Sequence, residues 1–286
     1  MNAVARALWF IETRLADVLS FDEIAEAGCV SRFHLSRAFG AATGCSVMGY
    51  VRRRRLSVAA RALADGAADI LSVALDAGYG SHEAFTRAFR EQFGLTPEAV
   101  RRQRHLENIG LMEPMNMERT FIDDLEPPRF VDGPALLIAG LSERYTGDTS
   151  AGIPAQWQRF VPYIDKVPGQ VGQTSYGVCC NADGAGSFDY VCGVEVSDFA
   201  NVPEPLVRLR IPAQRYAVFV HRGHIAAIRN TLNTIWNRWL PASGIQVADA
   251  PDFERYDERF DPCTGMGEVE FWLPVQGEVG NAAPTE

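Results

Sequence analysis

The tract Ala27-Gly28-Cys29-Val30-Ser31-Arg32-Phe33-His34-Leu35-Ser36-Arg37-Ala38-Phe39 recurs, at a constant offset of 50, as Ala77-Gly78-Tyr79-Gly80-Ser81-His82-Glu83-Ala84-Phe85-Thr86-Arg87-Ala88-Phe89. Just after the shared serine, each copy offers side chains with hydrogen-bonding or stacking chemistry. They are Arg32, Phe33, Ser36 and Arg37 in the first copy, and His82, Glu83, Thr86 and Arg87 in the second. Arginine can donate twice to guanine O6 and N7, glutamate can accept from cytosine N4, hydroxyls can do either, and an aromatic ring can lie against a thymine methyl. Repeated at one pitch, these residue types suit the reading of base edges. Core packing is the alternative for Phe33, and carboxylate pairing the alternative for Arg37 and Arg87.

The elements that would position them follow from the same repeat. A short helix, Phe21 to Ala27 and again Ile70 to Ala77, precedes Gly28 or Gly78, where positive φ would end it in a tight turn. Ser31 and Ser81 then stand as N-caps for helices from about Arg32 to Ala42 and from about His82 to Phe93. Leu35, Ala38 and Phe39 line one face of the first, as Phe85, Ala88 and Phe89 do in the second. Each pair of helices is a helix-turn-helix. Between them, Met48 to Ala64 reads as one helix about 24 Å long, a spacer for two recognition helices about one DNA turn, roughly 34 Å, apart. Its run Arg52-Arg53-Arg54-Arg55 would neutralise phosphates with some members and pair with Asp or Glu through others; a solvated basic face is the plainer alternative.

From Phe10 to Arg104 these residues resemble the DNA-binding domain of the AraC/XylS family, most specifically in Ala74 to Phe89 and Phe93-Gly94-Leu95-Thr96-Pro97. The resemblance implies that the eight residues named above enter consecutive major grooves of double-stranded DNA, with RNA polymerase a further partner. Most members of the family carry this domain at the C-terminal end, whereas here it comes first.

Charge is divided along the chain. The formal net charge of -9 would disfavour a polyanion partner, but residues 1 to 107 hold 14 basic against 12 acidic side chains, and residues 108 to 286 hold 13 against 24. The acidity therefore belongs to the second part. Cys29, Cys45, Cys179, Cys180, Cys192 and Cys263 lack paired metal-ligand spacing and read as buried thiols, so neither a metal nor another cofactor is expected. The chain has no apolar run of membrane-spanning length and its start does not read as a secretory signal, which together fit a reducing cytoplasm.

Beyond Glu126-Pro127-Pro128-Arg129 the pattern changes. Strands are expected at Ala135 to Ser142, Ser175 to Cys180 and Tyr190 to Val196, with a helix at Ile153 to Ile164. A second round follows: strand Tyr216 to His221, helix His224 to Leu240, and strands Phe253 to Asp257 and Glu268 to Pro274. The segments Ala213 to Gly223, Trp239-Leu240-Pro241, Phe253-Glu254-Arg255-Tyr256 and Val269 to Val275 resemble the GyrI-like effector-binding family. That resemblance covers roughly Ala135 to Val275 and implies a groove between two strand-helix-strand-strand repeats, with an acidic residue that receives a small aromatic or cationic compound. Glu254 is the best match for the acid, with Glu195 and Glu270 as alternatives. Strand alternation puts Glu254 with Tyr256 and Glu270 with Trp272, and a carboxylate beside rings can hold a cation. Tyr176, Tyr190, Tyr216 and Trp236 are candidate ring walls, or else core residues.

The expected architecture is multidomain, all-α plus α+β: a DNA-binding domain at 1–107, a linker at 108–129 and an effector-binding domain with an antiparallel sheet at 130–286. The expected function is a sequence-specific, ligand-sensing transcriptional regulator with no catalytic residues. Two alternatives stay open: a GyrI-like hydrolase using a pocket Glu, for which no nucleophile-base set is visible, and a regulator controlled by protein contacts alone. If Arg87 contacts a base edge, Arg87→Ala weakens specific duplex binding by about 1 to 3 kcal/mol; unchanged affinity and preference in a footprinting titration of the folded variant would remove Arg87 from that role.

Overall fold

The computed structural model describes residues 3–107, 109–115, 121–183 and 187–276. The chain divides into two compact units, Met1–Arg119 and Thr120–Glu286. Part of the expected linker, 108 and 116–120, lies outside the described residues.

The first unit is helical: α1 (Ala3–Thr13), α2 (Phe21–Gly28), α3 (Arg32–Thr43), α4 (Val47–Ala64), α5 (Ile70–Asp76), α6 (His82–Phe93) and α7 (Pro97–Gln103). Polar side chains cap the N-termini of α2 to α7. Ser31 and Ser81 accept from the amides of His34 and Ala84, each at 3.2 Å, and Ser20 with Glu23 closes a reciprocal capping box on α2. The second turn has Gly78 at φ 83°, but in the first the left-handed position falls on Cys29 (φ 54°), while Gly28 remains the last residue of α2. At this turn Arg6 of α1 donates to the Gly28 carbonyl at 2.5 Å. Phe85, Phe89, Val73 and Leu63 form the core of the second helix-turn-helix, and Leu35, Phe39, Ile24 and Ile11 are buried in the first.

The second unit is built on one antiparallel sheet: β1 (Arg129–Gly133), β2 (Leu136–Thr146), β3 (Gln170–Cys180), β4 (Ser187–Val196), β5 (Val207–Ile211), β6 (Gln214–His224), β7 (Asp252–Tyr256), β8 (Phe260–Asp261) and β9 (Met266–Pro274). The order is β1-β6-β9-β7-β3-β4-β2-β5, with β8 paired to β9. The repeats β2-β3-β4 and β6-β7-β9 meet at the β3–β7 pair, and each accepts an edge strand from the other's side: β1 joins β6 and β5 joins β2. Helix α8 (Ile153–Phe160) lies between β2 and β3. The second repeat has α9 (Ile228–Thr234), a π-helical stretch Ile235–Trp239, and α10 (Leu240–Ser243) where one continuous helix was expected. Sequence alternation missed β1 and β5, which are five residues each and carry exposed charges.

The register sorts the sheet into two faces. Opposite β-partners place Gly177, Tyr190, Cys192, Glu254, Tyr256 and Phe271 on one face, which α8 and the α9–α10 segment cover. On the other face Ile138, Tyr176, Val178, Val191, Ile211, Tyr216, Val218 and Phe253 pack into a single core.

An ion cluster stitches β7, β9 and the β7–β8 turn. Hydrogen bonds from Arg259 hold the Asp257 carboxyl down at about 2, against the opposing effect of burial. A depressed carboxylate stabilises the fold above its unfolded pKa, and this contribution is lost as pH falls through the folded one. Acid titration of the second unit's melting temperature should therefore show stability lost between about pH 4 and 2, with Asp257→Asn removing on the order of 1–2 kcal/mol of it. A variant with wild-type acid sensitivity would contradict this.

Candidate functional site

The first unit presents its two recognition helices differently. On α6, His82, Glu83 and Arg87 are exposed and Thr86 is half-buried, and with Arg90 and Glu91 they line one open groove. His82 Nε2 lies 3.0 Å from Glu98 Oε1, tying the start of α6 to that of α7. On α3, Phe33, Ser36 and Arg37 are half-buried, and Arg32 forms a solvent-exposed ion pair with Asp22 of α2 at 3.1 Å. Such an exposed pair is worth little and can be exchanged for a phosphate or a base.

The arginine run on α4 divides its labour. Arg52 is exposed, and it and Arg53 line a shared pocket with Glu91 and Gln92. Arg54 is buried and grips Glu12 with two bonds, at 2.8 and 2.9 Å. Arg55 donates to the carbonyls of Leu15 and Asp17.

In the second unit the structure separates the seven expected ligand residues into distinct environments. Glu254 and Tyr190 come together on the helix-covered face: Tyr190 Oη donates to Glu254 Oε2 at 2.5 Å, and Tyr256 Oη to the same oxygen at 3.2 Å. Trp157 of α8 completes the chain, its indole N–H donating to Tyr190 Oη at 3.1 Å. The rings of Trp157 and Phe260 each meet Tyr256 edge-on at 5.1 Å. Burial, followed by the charge of Glu254, pushes the phenols of Tyr190 and Tyr256 well above their ordinary range, so both remain protonated donors. The result is a half-buried carboxylate held by two neutral hydroxyls and walled by aromatic rings.

Gly177 makes that geometry feasible. It sits directly opposite Glu254 in the β3–β7 register, and a Cβ there would overlap Tyr190 Oη and stand 2.7 Å from a Glu254 oxygen. Neither Gly177 nor Trp157 was selected from sequence; strand pairing brings the glycine to the carboxylate, and no local pattern announces it.

The other five residues lie elsewhere. Glu270 is buried on the opposite face, bonded by Arg129 at 2.7 Å, Arg259 at 2.9 Å and the Trp272 indole at 3.0 Å, with Arg255 at 3.4 Å. Burial works to raise its carboxyl, but those hydrogen bonds outweigh it and the net shift is downward. Tyr176 and Tyr216 pack edge-on against Phe253, at 5.9 and 5.2 Å, within the core of that face, and Glu195 receives Tyr176 Oη at 3.4 Å. Trp236 is buried in the π-helical stretch. Among the described residues there is no cluster of three or more His, Cys, Asp or Glu able to hold a metal, and no helix long and apolar enough to cross a membrane.

Comparison with known proteins agrees with this two-part reading. A model of the GyrI-like small molecule binding domain matches residues 126–276, and a model of a helix-turn-helix domain matches residues 24–103. The transcriptional regulator BrlR of Pseudomonas aeruginosa is 35% identical over 150 residues, 51% of this chain and 54% of that protein, so this match spans about half the relative's length. The transcriptional regulator Rob of Salmonella typhimurium is 25% identical over 281 residues, 94% of this chain and 96% of Rob. The right origin-binding protein of Escherichia coli is 25% identical over 284 residues, with the same coverage. With an AraC-type helix-turn-helix domain in front of its sheet domain, the chain belongs to the GyrI-like small-molecule-binding family and is a DNA-binding transcriptional regulator.

Proposed function

We propose that this regulator binds specific duplex sequences through α3 and α6 and senses a small aromatic cation at Glu254, in the cytoplasm and in contact with RNA polymerase. The observation that carries the sensing half is the carboxylate of Glu254 held by Tyr190 and Tyr256 under Trp157. Phenol hydroxyls stabilise a carboxylate without cancelling its charge, so a desolvated cation entering among the rings gains Coulomb attraction and ring-face contact together. Glu270 is the control within the same domain. Its partners include three guanidinium groups, so its charge is already answered. The hydrolase alternative has less support, since the phenols beside Glu254 are driven toward the protonated form, and a protonated phenol is a poor nucleophile. Relatives named as transcriptional regulators favour the regulator as well.

Isothermal titration with a quaternary aromatic ammonium compound and a neutral compound of the same shape tests the site. Glu254→Gln should weaken the cation at least about tenfold and the neutral compound much less, whereas Glu270→Gln should not discriminate between them. A cation-specific loss at Glu270, or equal losses for both compounds at Glu254, would sink the assignment. Gly177→Ala supplies a second check from the opposite strand. The added methyl must displace the Tyr190 hydroxyl, so cation affinity should fall about tenfold or more, at a stability cost of roughly 1–3 kcal/mol; wild-type binding by this variant would show that the Tyr190–Glu254 contact is not needed.

A further inference from the structure

Residues 109–115 run along α4 and are bonded to it at defined points. Ser57 Oγ accepts the amide N–H of Met112 at 2.9 Å, and Arg54 Nη1 donates to the Met112 carbonyl at 2.6 Å. The amide of Met115 donates to Tyr50 Oη at 3.2 Å. Arg61 pairs with Glu113, while Ile109 and Leu111 pack against the core of the second helix-turn-helix. Tyr50, Arg54, Ser57 and Arg61 are spaced four, three and four apart, so they form one stripe along the helix.

Each of the three inner anchors has a second attachment. Tyr50 Oη donates to Glu12 Oε1 at 2.6 Å while it accepts from Met115. Arg54 uses Nε and Nη2 for Glu12 and Nη1 for Met112. Ser57 donates to the carbonyl of Arg53 at 2.8 Å, and that carbonyl also receives Gln92 of α6 at 3.2 Å. Glu12 belongs to α1, which packs on α2 and α3 of the first helix-turn-helix. Since Arg54 is only 4% exposed, undocking the segment strands a buried N–H of the same guanidinium that holds Glu12. Docking of residues 109–115 and the tie between α1 and α4 therefore reinforce each other.

We infer that residues 109–115 are a regulatory strap: docked on Tyr50, Arg54 and Ser57, they hold the first helix-turn-helix, through Glu12, in its DNA-reading position, and their release lowers DNA affinity. The covalent order fits this role. Only residues 116–120 separate Met115 from Phe121, and the next residue, Ile122, donates its amide to Thr234 Oγ1 of α9 at 3.0 Å. Each side of the connection is thus pinned within its own unit by a hydroxyl, Tyr50 on one side and Thr234 on the other. Coupling between the strap and DNA is reciprocal, so DNA must favour the docked strap as much as the docked strap favours DNA.

Hydrogen exchange on the full chain reads this directly at the amides of Met112 and Met115. A duplex enriched from a random library by the same protein should slow exchange at both by about fivefold or more. Glu12→Gln, which removes no strap atom, should speed exchange at both and weaken that duplex by about fivefold or more. Met112→Pro deletes the strap's own donor and leaves α4 and the recognition helices unchanged in sequence; it should weaken the duplex by a similar factor and guards against a folding defect in the first variant. Strap amides indifferent to the duplex, or wild-type affinity in Met112→Pro, would reduce the strap to packing and overturn the inference.

Discussion

Two connectors of two residues, Pro134-Ala135 and Pro212-Ala213, dictate the shape of the effector-binding unit. Strand β1 lies at one end of the sheet and β2 next to the other end, yet Gly133 and Leu136 are three residues apart, a span of at most about 11 Å. The link from β5 to β6 imposes the same condition in reverse. The sheet must curl until its edges approach, and its inner face is sealed by its own side chains. Tyr176, Tyr216, Val178 and Phe253 fill that interior with Val131 and Leu136 from the two ends. The outer face, between sheet and helices, carries Glu254.

The same closure gives two glutamates of adjacent strands opposite meanings. Glu254 pairs in register with Phe271 and Arg255 with Glu270, so the two carboxylates project to opposite sides of the sheet. On one side hydroxyl donors meet Glu254. On the other, Arg129, Arg255 and Arg259 converge on Glu270, and Arg129 also lies over the Trp272 ring. Guanidinium groups thus counter the charge on one face, and phenol hydroxyls donate to the carboxylate on the other.

Much of the helical unit was legible because its information is local. Caps at Ser31 and Ser81, the turn at Gly78 and the apolar faces of α3 and α6 each depend on residues within a few positions. The first turn departed from its copy at Gly28 and Cys29, where Arg6 of α1, 22 residues away, donates to the Gly28 carbonyl. In the sheet unit, alternation correctly put Tyr256 beside Glu254 and Trp272 beside Glu270. It had no means of bringing Tyr190, Trp157 and Gly177 to the same carboxylate, because those neighbours depend on strand order. Nor could it reveal β1 and β5, whose short, charged strands matter through the edges they close. The helix after β6 was expected as one continuous run, but its π-helical stretch at Ile235–Trp239 was not visible in the sequence; Thr234, Ile235, Trp236 and Asn237 are buried there.

If Glu254 senses a cation, occupation of its site should change the affinity for DNA. The most direct measurement is fluorescence anisotropy of the full chain on a duplex enriched from a random library, titrated with and without a saturating quaternary aromatic cation, for the wild type and for Glu254→Gln. A cation-dependent change in duplex affinity of about fivefold or more is expected in the wild type and none in the variant. An equal change in both proteins, or no change in a wild type shown by calorimetry to bind the cation, would contradict it.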